Sequence, residues 1–235
     1  MRFCGLRHVA AALLAAAATA DDDASEWKVE RIADAPALPQ EIPEPFRKLL
    51  DPAGLRLLGK DAKPLCELWR CKDLPLLPKS PPSTDVRQSR LAPGLLVGAM
   101  RTFGATSDYR DQPIAAGVYG LRYFRQPVDG NHLGTADSRD FLVVTSFESD
   151  LDPKLIEKQD DLVALSVPVS PTDHALVLYV AEPPVEPAKD GAPRFFRRGE
   201  RKEWAVELVL TGPAAGGNEP EQVRLGLVLV GHVAG

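Results

Sequence analysis

Hydrophobic and polar residues alternate along much of this 235-residue chain, most clearly at Trp204, Val206, Leu208 and Leu210. A period of two is typical of strands that bury one face. The pattern predicts strands at 54–58, 64–72, 95–103, 118–126, 141–147, 174–181, 203–211 and 222–232. Because patterns with helical spacing are scarce between these strands, we predict an all-β fold: an antiparallel β-sandwich of about eight strands.

One peripheral helix is predicted between Asp152 and Ser166. Asp is a favoured capping residue, and Pro153 suits the first position of a helix. The apolar residues that follow at helical spacing are Leu155, Ile156, Leu162 and Val163. We expect this helix to cover an open end or an edge of the sandwich, where it would prevent pairing with other chains.

Three proline-rich segments divide the chain. Residues 21–53 are predicted to form an extended N-terminal segment with at most a turn or two of helix at Pro45–Leu50. Residues 75–82 and 183–201 are predicted to be loops, and the second of these holds Phe195 and Phe196 among arginines. The predicted sandwich domain therefore covers residues 54–235.

The first twenty residues have the features of a cleavable signal peptide. Arg2 and Arg7 precede a short apolar run, Val9–Ala18, and the small residues that follow suit cleavage after Ala20. A retained membrane anchor is the alternative, but a span needs about 20 apolar residues, more than this run supplies. We therefore predict a signal peptide at 1–20, a periplasmic or extracellular protein, and no membrane span after cleavage.

The charge balance argues against a nucleic-acid partner. The chain has 28 Lys and Arg residues against 33 Asp and Glu residues, a formal net charge of -5. A nucleic-acid-binding protein usually presents a basic patch or stripe, and no such stripe dominates here. The partner that we expect is an unidentified ligand or a protein of the cell envelope.

Two cysteines remain after the predicted cleavage, Cys66 and Cys71. An even number of cysteines in an exported protein suggests a disulfide. Both residues, however, fall in one predicted strand, which would place their Cα atoms about 16 Å apart, whereas a disulfide allows about 7 Å. Either the strand prediction is wrong or both thiols are free, and we favour free, buried thiols.

The densest group of polar and turn-forming residues lies at 129–140. Asp-Gly between two strands is a strong turn signal, so these side chains could simply serve the loop backbone. Loops at the end of a sandwich also carry binding sites. On that interpretation, the candidate binding residues are Asp129, Asn131, His132, Asp137, Asp140 and, if its loop shares the same end, His174. Their spacing does not demand a metal, and we predict neither a metal nor another cofactor.

Three stretches in the middle of the chain carry a resemblance to known proteins: Ala115–Tyr123, Pro127–Gly134 and Arg139–Phe141. They resemble a group of secreted bacterial proteins of unknown function that have an Ala-Gly-x-Tyr strand, an Asp-Gly-Asn-His loop and an Arg-Asp-Phe strand. The resemblance covers about residues 95–147, with a weaker similarity at Cys66–Trp69. It implies an exported β-rich domain and brings no catalytic residue with it.

Motifs for catalysis are nearly absent from the sequence. It has no Gly-x-Ser-x-Gly elbow, Gly-rich phosphate loop or His-Glu-x-x-His motif, so we predict no catalytic residue. The leading hypothesis is a non-catalytic module that binds a ligand or a partner. The alternative is a hydrolase or metal-assisted enzyme that uses the 129–140 loop and His174. A third possibility is a structural envelope protein with a flat apolar face.

Overall fold

The computed structural model describes residues 27–32, 38–78, 90–104, 106–127, 138–189, 192–198, 203–213, 217 and 219–231. Strands dominate this part of the chain. They are β1 (Lys28–Arg31), β2 (Leu55–Leu58), β3 (Pro64–Arg70), β4 (Leu96–Thr102), β5 (Thr106–Ser107), β6 (Pro113–Ile114), β7 (Gly117–Arg125), β8 (Asp140–Ser146), β9 (Val177–Ala181), β10 (Phe195–Arg198), β11 (Glu203–Pro213) and β12 (Pro220–Val230). The α-helices are α1 (Glu44–Arg47) and α2 (Gln159–Ser166), and two 3₁₀ turns lie at Lys60–Ala62 and Val167–Val169.

Ten of these strands form a single antiparallel sheet in the order β1-β2-β3-β4-β7-β8-β9-β12-β11-β10, and β5 pairs with β6. After β9 the chain crosses to the far end of this order, forms β10, and returns through β11 until β12 pairs with β9. The sheet curls until it is nearly closed into a barrel. The two outermost strands, β1 and β10, therefore face each other across one seam.

The all-β class is confirmed, but a sandwich of about eight strands is not. Each of the eight predicted segments overlaps a strand, while β1, β5, β6 and β10 were not predicted. Alternation shows which side of a strand is buried, and it is the same whether that side faces a second sheet or the inside of one curled sheet. β10 lies within the segment 183–201, which was predicted to be a loop. It was not predicted as a strand because its sequence, Phe-Phe-Arg-Arg, does not alternate.

The core lies on the concave side of the curled sheet. Alternate side chains of neighbouring strands fill it, including Leu57, Cys66, Leu68, Met100, Leu121, Leu142, Leu178, Leu208 and Leu227. α1 falls at the turn predicted near Pro45–Leu50, and its buried Phe46 packs edge-on against Phe147, with ring centroids 5.0 Å apart. Both β1 and α1 come from the segment predicted to be extended, and both pack into the sheet and its core.

The helix begins later than predicted, at Gln159 instead of Asp152. The cause is Arg122 on β7, whose buried guanidinium donates hydrogen bonds to the backbone carbonyls of Asp152 and Lys154, at 2.7 and 2.8 Å. Asp152 caps no helix, and its carboxylate accepts the Lys154 backbone N–H instead. α2 packs against the outer face of β8, and β8 is a central strand with β7 and β9 on its two sides. The predicted role of the helix at an open end or edge is therefore also wrong.

Cys66 and Cys71 are both free and buried, as predicted. Burial raises the pKa of each thiol from 9.0 to about 12. Because the thiolate is the reactive form of cysteine, both residues are unreactive members of the core at neutral pH.

Candidate ligand-binding site

The seam of the curled sheet is closed at its two ends by different contacts. At one end the ring of Trp27, just before β1, lies 6.4 Å from that of Phe195 on β10, and Phe195 stacks on Trp204 of β11 at 5.3 Å. At the other end Leu74 donates its backbone N–H to the carbonyl of Thr211 on β11, at 2.9 Å. The backbone N–H of Leu76 likewise donates to the carbonyl of Pro213, at 3.1 Å.

Between these closures lies a cavity of about 430 Å³, which we call the seam cavity. Its first wall comes from β1, β2, β3 and the residues before β2, and the facing wall comes from β11 and β12. The lining residues on the two walls are Arg31, Asp51, Ala53, Leu55, Leu68, Arg70, Glu207, Leu208, Val209, Thr211, Gln222 and Arg224. Apolar and charged groups thus share one preformed space, as they do in small-molecule sites.

A strap, defined as residues 183–189 and 192–194, covers the outer side of β11 and β12 and contributes Pro187, Ala188, Ala192 and Pro193 to the cavity. Its position depends on Glu207, whose buried carboxylate accepts hydrogen bonds from both Arg194 and Arg224. Arg224 also donates to the backbone carbonyls of Pro184, Val185 and Glu186, and Arg194 donates to that of Glu186. Charged hydrogen bonds therefore hold the strap over the cavity.

Among the described residues that line the seam cavity, arginines outnumber carboxylates. The lining contains the three arginines Arg31, Arg70 and Arg224, against the carboxylates Asp51 and Glu207. The Arg70 guanidinium lies 2.7 Å from the Asp51 carboxylate and donates a longer hydrogen bond, 3.3 Å, to the Thr211 hydroxyl across the seam. An anionic group is thus the complementary ligand group.

Four of the predicted site residues, Asp129, Asn131, His132 and Asp137, lie outside the described residues. Asp140 is described and is buried at the start of β8. Its carboxylate accepts hydrogen bonds from the Tyr123 hydroxyl and, at 3.1 Å, from the Ser138 hydroxyl. It also lines a second cavity of about 340 Å³ together with Ser138, Arg90, Val180, Ala181, Glu182, Pro183, Gln222, Val223, Arg224 and Leu225.

His174 lies far from Asp140. Phe141 pairs with Tyr179 and Val143 with Val177, a register that carries residue 174 to the far end of β8, near Ser146. The two residues are thus separated by about six strand positions, or about 20 Å. The side chain of His174 is exposed, and its acidic partner is the still more exposed Asp173, 3.6 Å away. The described structure does not bring these two predicted site residues together.

The arginines and carboxylates of the seam were not among the predicted site residues. The only signal for them was the group of arginines in the 183–201 segment, which includes Arg194. Arg31, Arg70 and Arg224 lie far apart in the sequence, and only the closing of the sheet places them around one cavity.

Among the described residues, no group of three or more His, Cys, Asp or Glu side chains is arranged to hold a metal ion. None of the helices in this part of the chain has the length and apolar character that crossing a membrane requires. No protein-family model, curated protein or solved structure matches this chain.

Proposed function

We propose that the protein is an exported, non-catalytic binding module whose ligand occupies the seam cavity. The observation that supports this proposal best is a preformed cavity of about 430 Å³ with arginines on both of its walls. The ligand carries an anionic group for these arginines and an apolar part for Leu55, Leu68 and Leu208. Such a mixture of apolar surface and a few directed polar groups is typical of binding sites.

The hydrolase alternative has less support. Asp140 and His174 are about 20 Å apart by strand register, too far for a shared acid-base role. The raised pKa values of Cys66 and Cys71 disfavour a thiolate nucleophile. These observations favour binding without turnover.

Binding can be tested with decanoate, a simple ligand with one carboxylate and an apolar chain. Trp27 and Trp204 lie at one end of the seam, so their fluorescence can report the titration. We expect saturable binding that Arg70→Gln weakens about tenfold or more, because hydrogen bonds to charged groups contribute about 1.5–3 kcal/mol.

Arg56→Gln is the matched control. Arg56 lies on the neighbouring strand, is similarly exposed (37% against 32% for Arg70), and also holds a carboxylate at 2.7 Å, but it does not line the seam cavity. The control should bind decanoate like the unaltered protein. Equal losses in both variants would contradict the proposed site, and an absence of saturable binding would show that a small apolar carboxylate is not its ligand.

Export is tested separately, by the N-terminus of protein made from the full coding sequence in a bacterial host. The charged start, the apolar run and the small residues before Asp21 predict a secreted chain that begins at Asp21. Mass spectrometry of the periplasmic fraction and the medium should find that chain. Recovery only from the cytosol, with residues 1–20 attached, would refute export and leave the binding proposal standing.

A further inference from the structure

The seam cavity occupies a gap in a row of backbone pairing along one edge of β11. On one side of the gap the carbonyl of Arg194, the residue before β10, accepts the N–H of Glu207 at 2.9 Å. On the other side the carbonyl of Thr211 accepts the N–H of Leu74, also at 2.9 Å. Arg194 and Leu74 thus flank a gap along the same edge of β11, and Ala192 and Pro193, which precede Arg194, line the cavity beside it.

Val209 lies in the middle of this gap. Backbone groups of alternate strand residues point to the same side, so the N–H and C=O of Val209 point the same way as those of Glu207 and Thr211. No backbone hydrogen bond between described residues joins Val209 to a neighbour on that side. The distance from position 207 to position 211 is about 13 Å, which is room for about three residues of an extended chain.

The strands on either side make the gap suitable for a peptide. β10 runs antiparallel to β11 and ends the sheet on this side, and across the seam β2 is the one strand that pairs with β1 among the described residues. An extended segment placed between them would continue the row that β10 begins. Its side chains would alternate between the two faces, so that one could reach an arginine while the next contacts Leu68 or Leu208.

We infer that the ligand of the seam cavity is an extended peptide segment with an acidic side chain, which pairs with Val209 by adding a short strand to β11. The inference rests on the proposed function and names the chemical class of its ligand. In such strand addition, backbone hydrogen bonds supply affinity, and side-chain pockets supply specificity. The acidic side chain complements Arg31, Arg70 and Arg224.

The test uses the capped peptide acetyl-Thr-Val-Asp-Val-Thr-amide, together with counterparts that carry Leu or Phe in place of both Val residues. Binding is followed by tryptophan fluorescence, and the amide exchange of Val209 is followed by NMR. Each peptide is also made with Asn in place of Asp. We expect at least one Asp peptide to bind about tenfold tighter than its Asn counterpart. We also expect exchange at Val209 to slow about tenfold at saturation, because a new hydrogen bond protects the amide.

Two controls separate strand pairing from simple charge attraction. An Asp peptide with N-methyl groups on its three central residues keeps its charge but lacks three of the N–H donors that strand pairing uses, and the methyl groups crowd both of its edges, so it should bind at least about tenfold more weakly. In the protein, Arg70→Gln should weaken binding of the Asp peptide, and Arg56→Gln should leave that binding unchanged. Equal binding of the N-methylated peptide, or binding without protection of Val209, would overturn the inference.

The decanoate titration distinguishes this inference from the proposed function. If decanoate binds in an Arg70-dependent manner and none of the peptides binds, the seam cavity is a small-molecule site and the peptide inference is wrong. If neither decanoate nor any peptide binds, both proposals fail. If the peptides bind and protect Val209, the ligand class is established.

Discussion

Arg122 shows how one buried residue organises a long stretch of irregular chain. Its guanidinium holds both oxygens of Asp150, at 2.6 and 2.7 Å, and donates to the carbonyls of Gly94, Asp152 and Lys154. These contacts use its five N–H groups, which compensates for the cost of burying the charge. Asp150 also accepts the Thr145 hydroxyl at 2.9 Å. Arg122 therefore fixes the chain between β8 and α2 against the outer face of the sheet.

Replacement of Arg122 with Met should destabilise the protein strongly. The change leaves the Asp150 carboxylate buried without its cationic partner, for which a loss of about 3–5 kcal/mol is expected. The free energy of unfolding in urea is the measurement, and Arg56→Met is the control. Arg56 is partly exposed, and its partner Glu67 keeps Arg101 at 3.5 Å, so the control should cost less than about 1 kcal/mol. Similar losses in the two variants would contradict this account.

Among the structural elements, the strap shows how a proline-rich segment without regular pairing is held in place. Glu207 on β11 is the shared acceptor of Arg194 and Arg224, and these arginines bind the strap's carbonyls at Pro184, Val185 and Glu186. A single carboxylate thus joins both ends of the strap to the sheet.

Glu207→Gln should loosen the strap, because a neutral amide oxygen cannot balance two guanidinium groups. Loss of a charged hydrogen bond of about 2 kcal/mol predicts tryptic cleavage after Lys189 that is about tenfold faster or more. Glu203→Gln is the control, because Glu203 is also a buried carboxylate on β11 but pairs with Arg198, at 2.7 Å. In this control variant the rate of tryptic cleavage after Lys189 should change less than about twofold. Equal acceleration in both variants would show that Glu207 has no special role.

The elements that the sequence predicted correctly are those with local signals. The hydrophobic pattern located eight of the strands, and the prolines located α1 near its observed place. The predicted start of α2 was wrong because Arg122, which lies thirty positions earlier in the chain, binds the backbone carbonyl of Asp152. This contact outweighs the local helix-start signals of Asp152 and Pro153. β10 was missed because its pairing with β11 outweighs a sequence that does not alternate.

At the scale of the whole molecule, alternation cannot distinguish two facing sheets from one curled sheet, because both bury the same alternate residues. Closure here depends on close approach of backbones at particular points of the seam. Gly212 is one such point: a Cβ there would lie 1.8 Å from the Leu74 carbonyl oxygen. The candidate site is thus a product of closure, and so it could not be read from residues near one another in the sequence.

Gly212→Ala should therefore open the seam. Leu74 would have to move away from β11, which breaks its hydrogen bond with Thr211 and should cost about 1–3 kcal/mol, a typical penalty for overpacking. Gly117→Ala is the control, since the nearest atom to its Cβ would belong to a side chain, the Tyr119 hydroxyl at 2.9 Å, instead of a backbone, and the loss should be smaller. Urea unfolding measures the stability of both variants, and the decanoate titration measures the site. If Gly212→Ala is as stable as the control and binds decanoate equally well, the contact between Leu74 and β11 does not maintain the seam cavity.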